Sequence, residues 1–352
     1  MVVVVGSYSK VNSPGIHLYR WDDVENRFEN TANITGIENP SFLNIDSANE
    51  LIYAITEKKE DADAELHIYK IDGAQDQVSL TTRIPFEGEG SCYISRDTTS
   101  RHAFITNYGN GTLTVIKLPE GDLPGTVVQQ LQFDGSGPNT ERQEKAHIHA
   151  ALLSKDERYL YSSDLGADRL YRFSYQPEAD LPLRPDQTMY IQLPAGSGPR
   201  HLAFSPNGKW LYLITELSGE IFVFDTLNFG AGWLQKISLL QDGYSGKIEA
   251  ADIKVHPNGA YLYACNRGNA NEIVVFSVEP ISGQLFFLQR TGAAGLSPRG
   301  LLICEEQGLL LAANEQSDNV SIFKLLPNGM LEFSKEHLQI PCPTCVAELR
   351  EN

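Results

Sequence analysis

Two stretches decide how this chain folds: "AHIHAALLSKDERYLYSSDLG", residues 146–166, and "GPRHLAFSPNGKWLYLITELSG", residues 198–219. They share one frame: a strand-like run, a turn around Ser154 or Ser205, then Tyr-Leu-Tyr or Trp-Leu-Tyr. Only the edges differ. One stretch opens on His147 and His149 and ends near Asp164; the other opens on Arg200 and ends on Glu216. A repeat that keeps its middle and varies its edges separates a packing role from a chemical one.

The frame recurs along the chain. Aligning each copy on the apolar residue three before a polar or charged one gives anchors at Tyr53, Phe104, Tyr161, Tyr212, Tyr263 and Leu311. The steps between them are 51, 57, 51, 51 and 48 residues. Each anchor follows a run such as "SCYISRD" or "ADIKVHPNG" and precedes a third apolar run such as "IFVFDT" or "IVVFSV"; a weaker fourth run comes after that. The runs are short, rich in β-branched and aromatic residues, and bounded by turn residues, so they read as strands. Pro206-Asn207-Gly208 and Pro257-Asn258-Gly259 are tight turns, proline fixing φ and glycine supplying a positive one. No apolar stripe holds helical spacing over ten or more residues. Units of this length, each a four-stranded antiparallel sheet, are the signature of a β-propeller. Six copies are internal, and the two ends supply a seventh. "VVVVGSYS" fits a second strand with Val4 as anchor, "GIHLYRWD" a third, and the missing first strand appears in "PTCVAEL", residues 343–349. The expectation is an all-β fold. Residues 1–352 form one domain, a seven-bladed propeller of four-stranded blades, its ring closed by the N- and C-terminal strands so that no edge stays open.

Composition narrows the function. With 41% apolar and 21% charged residues the chain is globular rather than disordered. Its net charge of −17 argues against nucleic acid, which needs a basic stripe. No apolar run approaches the ~18 residues of a spanning helix, so no membrane partner is expected. "MVVVVG" is too short for a signal peptide and lacks a basic start. The five cysteines are scattered and odd in number, which suits reduced thiols and a cytoplasmic protein. Cys342-Pro-Thr-Cys345 has CxxC spacing but no second pair, and reads as chance or core packing. A monomer or weak homo-oligomer is expected.

In a propeller the start of each first strand and the end of each second strand lie on one face of the disc. That mouth therefore collects His147 and His149, Arg200 and Arg299 from first strands. Second strands contribute Glu57, Asn107, Asp164, Glu216, Asn266 with Arg267, and Asn314 with Glu315. Three arginines at one mouth of an acidic protein point to an anionic ligand, because guanidinium holds carboxylate or phosphate bidentately. Asp164 and Asp168 are read as turn caps, His201 and His256 as structural, and Glu57 and Glu315 as rim charges of minor role. His149, Arg200, Glu216 and Arg267 carry the functional reading, since charges half-buried near a channel are costly unless paired or used. A competing reading makes Asn107, Asp164 and Glu216 an oxygen set for calcium, which the neighbouring arginines oppose.

With these residues in place the chain resembles the seven-bladed propeller lactonases, which include one type of bacterial 6-phosphogluconolactonase and fungal 3-carboxy-cis,cis-muconate lactonizing enzyme. The resemblance spans nearly the whole chain. It rests on "ERQEKAHIHAALLSKDERYLYSSDLGADRL", "GSGPRHLAFSPNGKWLYLITELSGEIFVF", "AADIKVHPNGAYLYACNRGNANEIVVF", "SPRGLLICEEQGLLLAANEQSDNVSIF" and "PCPTCVAE" taken together. It implies active-site roles for His149, Arg200, Glu216 and Arg267, the four that the rim reading selects. Substrate binding is expected of His147, Arg299 and Asn266. The chain departs from the family pattern at Ala146, where proline is expected, at Asp252, where glutamate is common, and at Glu315-Gln316. The implied reaction is hydrolysis of a sugar lactone, foremost 6-phosphogluconolactone, with no cofactor and no metal. His149 or Glu216 would act as base, one of Arg200 and Arg267 would stabilise the oxyanion, and the other would grip the remote anion. The alternatives are a carboxymuconate cycloisomerase and a non-catalytic scaffold binding small anions or peptides.

Overall fold

In the computed structural model, which describes residues 1–58, 64–72 and 77–350, every anchor is the third residue of the second strand in a four-stranded antiparallel sheet. Blade 1 pairs Pro343–Leu349 with Val2–Ser7, followed by Ile16–Asp22 and Arg27–Ile34. Blades 2 to 7 span residues 42–86, 91–132, 148–192, 199–238, 250–292 and 298–339, each with its strands in simple meander order. The seven-bladed all-β ring expected from the repeat is the observed fold. Helical structure among the described residues is limited to two 3-10 turns, Phe229–Ala231 and Glu315–Ser317. Glu315, read above as a strand end, lies in the second of these. No described helix is long and apolar enough to cross a membrane.

The core lies between blades rather than within them, because each sheet has two apolar faces to cover. Tyr212, Ile214 and Val223 of blade 5, for example, pack on Ile253, Leu262 and Ala264 of blade 6. The other apolar clusters likewise straddle neighbouring blades. Each large apolar side chain buried this way contributes about 1.5–3 kcal/mol. First strands touch one another around the axis in a closed circuit.

Closure occurs where the termini meet. Val2 pairs with Leu349, Val4 with Ala347 and Gly6 with Cys345. Position 6 has to be glycine, because a Cβ there would sit 2.4 Å from the Pro40 carbonyl oxygen and 2.8 Å from Cys345 Sγ. Cys345 is buried core and Cys342 half-buried, both free thiols, which matches the core-packing reading of the CxxC pair. At the opposite face Gly208 and Gly259 take φ of +71° and +74°, the turn geometry expected of the two Pro-Asn-Gly segments.

One irregularity repeats and positions the site. The pairing of first with second strand slips between Ser91 and Tyr93, Ile148 and Ala150, Pro199 and Leu202, Ala250 and Ile253, and Pro298 and Gly300. The residues thrown out of register include Cys92, His149, Arg200, Ala251 and Arg299, each twelve residues before its anchor. A bulge re-aims the side chain it carries, and here it does so at one level of the ring.

Candidate active site

The second contribution to the mouth comes four residues after each anchor: Tyr8, Glu57, Tyr108, Leu165, Glu216, Arg267 and Glu315. Most of these, with Cys92, His149, Arg200 and Arg299 from the bulges, line a pocket of about 540 Å³. That is within the ~300–1,000 Å³ usual for small-molecule sites. The residues one step earlier behave differently. Ser7, Thr56, Asn107, Asp164, Thr215, Asn266 and Asn314 are all buried, and none of them lines the pocket. Asp164 Oδ1 accepts from the backbone N–H groups of His147, Gly166 and Ala167, the capping role expected of it. Asn107 donates to Thr112 and Thr114 and accepts from Ser91. Asn266, expected to bind substrate, is not brought to the pocket; its Oδ1 accepts from the Glu249 N–H beneath the floor. Successive strand residues face opposite ways, so a one-residue offset separates cap from lining. For the same reason Asn107 and Asp164 do not join Glu216 as an oxygen set. Among the described residues no three His, Cys, Asp or Glu side chains are arranged to hold a metal ion.

Glu216 is the hub. Its Oε2 accepts from Arg200 Nε at 2.9 Å and lies 3.0 Å from an Arg267 guanidinium nitrogen. Its Oε1 accepts from Arg142 at 2.6 Å. Burial alone would favour the neutral acid, but Arg267, Arg200, His149 and Arg142 outweigh it and hold the carboxyl well below the usual range. Arg200 is locked from behind. It donates to the Ala251 carbonyl at 2.8 Å and to His201 Nε2 at 3.0 Å. His201 Nδ1 in turn donates to Asp252 at 2.9 Å, which fixes its tautomer. Burial and Arg200 push His201 down to about 3, so it stays neutral and accepts. Burial, then the charge of Arg267, lowers Arg200 to about 10, still a cation at neutral pH. His201 is structural, as expected, and Asp252 acts through it.

His149 stands beside this cluster with Nε2 3.9 Å from Glu216 Oε2 and Nδ1 3.8 Å from Cys92 Sγ. Burial, reinforced by Arg200 and His201, holds the imidazole well below its ordinary value. It is therefore a neutral ring whose Nε2 faces the pocket. His147 lines the pocket edge, stacked on Tyr108 and bonded to its carbonyl through Nδ1 at 2.7 Å. Arg299 faces the other side of the mouth. It donates to Tyr8 Oη at 2.8 Å and to Glu315 at 3.4 Å, and Tyr8 donates to Glu57 at 2.9 Å.

Several lining residues escaped the sequence reading, Tyr8, Tyr108 and Arg142 chief among them. Tyr8 and Tyr108 share the offset of four with Glu216, and that offset is the signal that finds them. Arg142 lies in the loop before blade 4, where no strand register applies. His256 falls in the turn between the first and second strands of blade 6 and touches no pocket residue.

A propeller mouth in which guanidinium groups grip a carboxylate next to a neutral imidazole is the layout of an enzyme for small anions. Comparison with known proteins bears on which. Residues 2–348 match the model of the lactonase family, described as a 7-bladed beta-propeller. A 6-phosphogluconolactonase of Bacillus subtilis is 29% identical over 351 residues, covering 99% of this chain and 98% of the relative. One of Formosa agariphila is 30% identical over 325 residues, 91% of each chain. The solved periplasmic gluconolactonase of Pseudomonas aeruginosa superposes with a TM-score of 0.91 at 29% identity over 98% of both chains. The chain belongs to the seven-bladed β-propeller lactonase family.

Proposed function

We propose that the protein hydrolyses 6-phosphogluconolactone to 6-phosphogluconate. The observation that carries this reading is the neutral His149 imidazole beside a carboxylate held by three guanidinium groups, all within one small-molecule pocket. The names of the Bacillus and Formosa relatives support the substrate. Of the two candidate bases, Glu216 is committed to three guanidinium groups, whereas His149 Nε2 lies at the pocket and makes no hydrogen bond among the described residues. His149 takes a proton from water, and the water oxygen bonds to the lactone carbonyl carbon. Arg200 and Arg267 face the oxyanion that develops; one such donor is worth roughly 10²–10³ in rate. Collapse breaks the ring C–O bond, and the imidazolium returns its proton to the departing ring oxygen. Glu216, 3.9 Å from Nε2, stabilises that imidazolium and keeps the arginines aimed. No cofactor takes part. Five free thiols suit work in the cytoplasm.

The test is kcat/KM on 6-phosphogluconolactone and on unphosphorylated gluconolactone, corrected for spontaneous opening. Turnover of both with preference for the phosphorylated lactone is expected. Turnover of a carboxymuconate alone would make the chain a cycloisomerase, and turnover of nothing on the panel would leave an anion-binding scaffold.

A further inference from the structure

We infer that Arg142 is the residue that recognises the substrate's phosphate, exchanging Glu216 for it when substrate binds. This rests on the phosphorylated-lactone reading above and deepens it. Three guanidinium groups converge on the single Glu216 carboxylate at 2.6, 2.9 and 3.0 Å, while the other two acidic residues lining this side, Glu144 and Glu249, make no contact with Arg142 among the described residues. Across the pocket Arg299 faces two carboxylates, Glu57 and Glu315, a net −1. That guanidinium cluster draws a dianion to the Glu216 side, and the polyhydroxyl end of the substrate faces Tyr8 and Glu57.

The three arginines on the cationic side are not equally free. Arg200 is 2% exposed and bonded to a backbone carbonyl, to His201 and to Glu216. Arg267 is 9% exposed and tied through Nε to the Glu249 carbonyl at 3.1 Å. Arg142 is 35% exposed. Its side-chain bonds run from one terminal nitrogen alone, to Glu216 and, at 3.3 Å, to Tyr108 Oη. Nε and the other nitrogen make no hydrogen bond among the described residues. If Arg142 leaves, Glu216 keeps two guanidinium partners, so the swing costs little.

Its backbone, by contrast, is fixed. Gln143, the next residue, is fully buried and donates to the Leu165 carbonyl and to Asp168, each at 2.8 Å. The Arg142 N–H is held by Asn139 at 3.2 Å, and Gly137 packs so closely that a Cβ would meet the Gln143 amide at 2.5 Å. A mobile side chain on a rigid loop is what phosphate capture needs, since only the side chain loses freedom on binding. Lys145 and Glu144, both exposed on the same loop, line the pocket edge as an opposite-charge pair of neighbours, so the cation there that is free to turn inward is Arg142.

The experiment compares wild type, Arg142→Ala and Arg142→Lys on both lactones, with inorganic phosphate as a competitive probe. For Arg142→Ala, kcat/KM on 6-phosphogluconolactone should fall about 10–100-fold, the range of a lost charge-assisted contact, chiefly through KM. The loss on gluconolactone should be much smaller, and inhibition by phosphate should weaken in parallel. Arg142→Lys should recover part of both. Equal losses on the two lactones, or a fall in kcat alone, would overturn the inference and make Arg142 a positioning residue for Glu216. An undiminished phosphate preference would place the anion elsewhere while leaving the substrate reading intact. A wild type with no preference would overturn that reading first, and this inference with it.

Discussion

Replacing Glu216 by glutamine keeps the volume of the side chain and removes one charge. That charge is the counter-ion of three guanidinium groups at 2.6, 2.9 and 3.0 Å, and the side chain is 4% exposed. Arg142 can turn to solvent in the variant, but Arg200 and Arg267 are fixed from behind and remain buried and uncompensated. Removing one partner of a buried ion pair costs about 3–5 kcal/mol. At roughly 2.1 cal/mol/K per residue, a chain of 352 residues unfolds with an entropy near 0.74 kcal/mol/K. The melting temperature should then drop by about 4–7 °C, read by calorimetry on reversible scans. Activity should fall further than stability suggests, by about 10²–10³ in kcat on both lactones, because the oxyanion donors lose their aim. A Glu216→Gln protein that melts within 1 °C of wild type and keeps its kcat would refute the hub role and the base assignment built on it.

Four other outcomes follow from the same geometry. Burial and Arg200 hold His149 below its ordinary value, so the competent neutral ring persists as pH falls through 6.5, and the acid limb of the kcat/KM profile should lie below that pH. His149→Ala should cut kcat by about 10²–10⁴ on both lactones; an acid limb at or above 6.5 would contradict this assignment. Deleting residues 343–352 removes the buried Val346 and Leu349, about 3–6 kcal/mol between them, and should lower the melting temperature by at least ~4–8 °C or leave the protein insoluble. Exhaustive EDTA treatment should leave activity unchanged, because among the described residues no three His, Cys, Asp or Glu side chains are arranged to hold a metal ion; loss restored by calcium would reverse that.

The frame was legible because packing imposes a strict period. All six internal anchors occupy one strand position, and the split seventh blade was visible because residues 343–349 had no other partner. His149, Arg200, Glu216 and Arg267 were legible because fold geometry alone brings strand ends together. What escaped was local. Asn266 and Arg267 are adjacent, yet one side chain is buried against the Glu249 N–H and the other enters the pocket. A list of strand-end residues does not separate them until the offset from the anchor is known. Arg142 was invisible for another reason: its place depends on how Gln143 and Asp168 fold a loop, and loops carry no period.

The strand pairing that closes the ring joins Val2–Ser7 to Pro343–Leu349, two segments made far apart in time. Ser7 and Pro343 are separated by 336 residues, so at ~5–20 residues per second the N-terminal strand emerges roughly 17–67 s before its inner partner exists. Through that interval "VVVVGS" presents one unsatisfied edge of four consecutive valines, the kind of template that captures other strands. Every translation product that stops short of Pro343 keeps that edge permanently. Emergence of residues 343–349 and concealment of this valine edge are thus a single event, and chains cut short before it remain distinguishable from longer ones by whatever binds exposed valine-rich backbone.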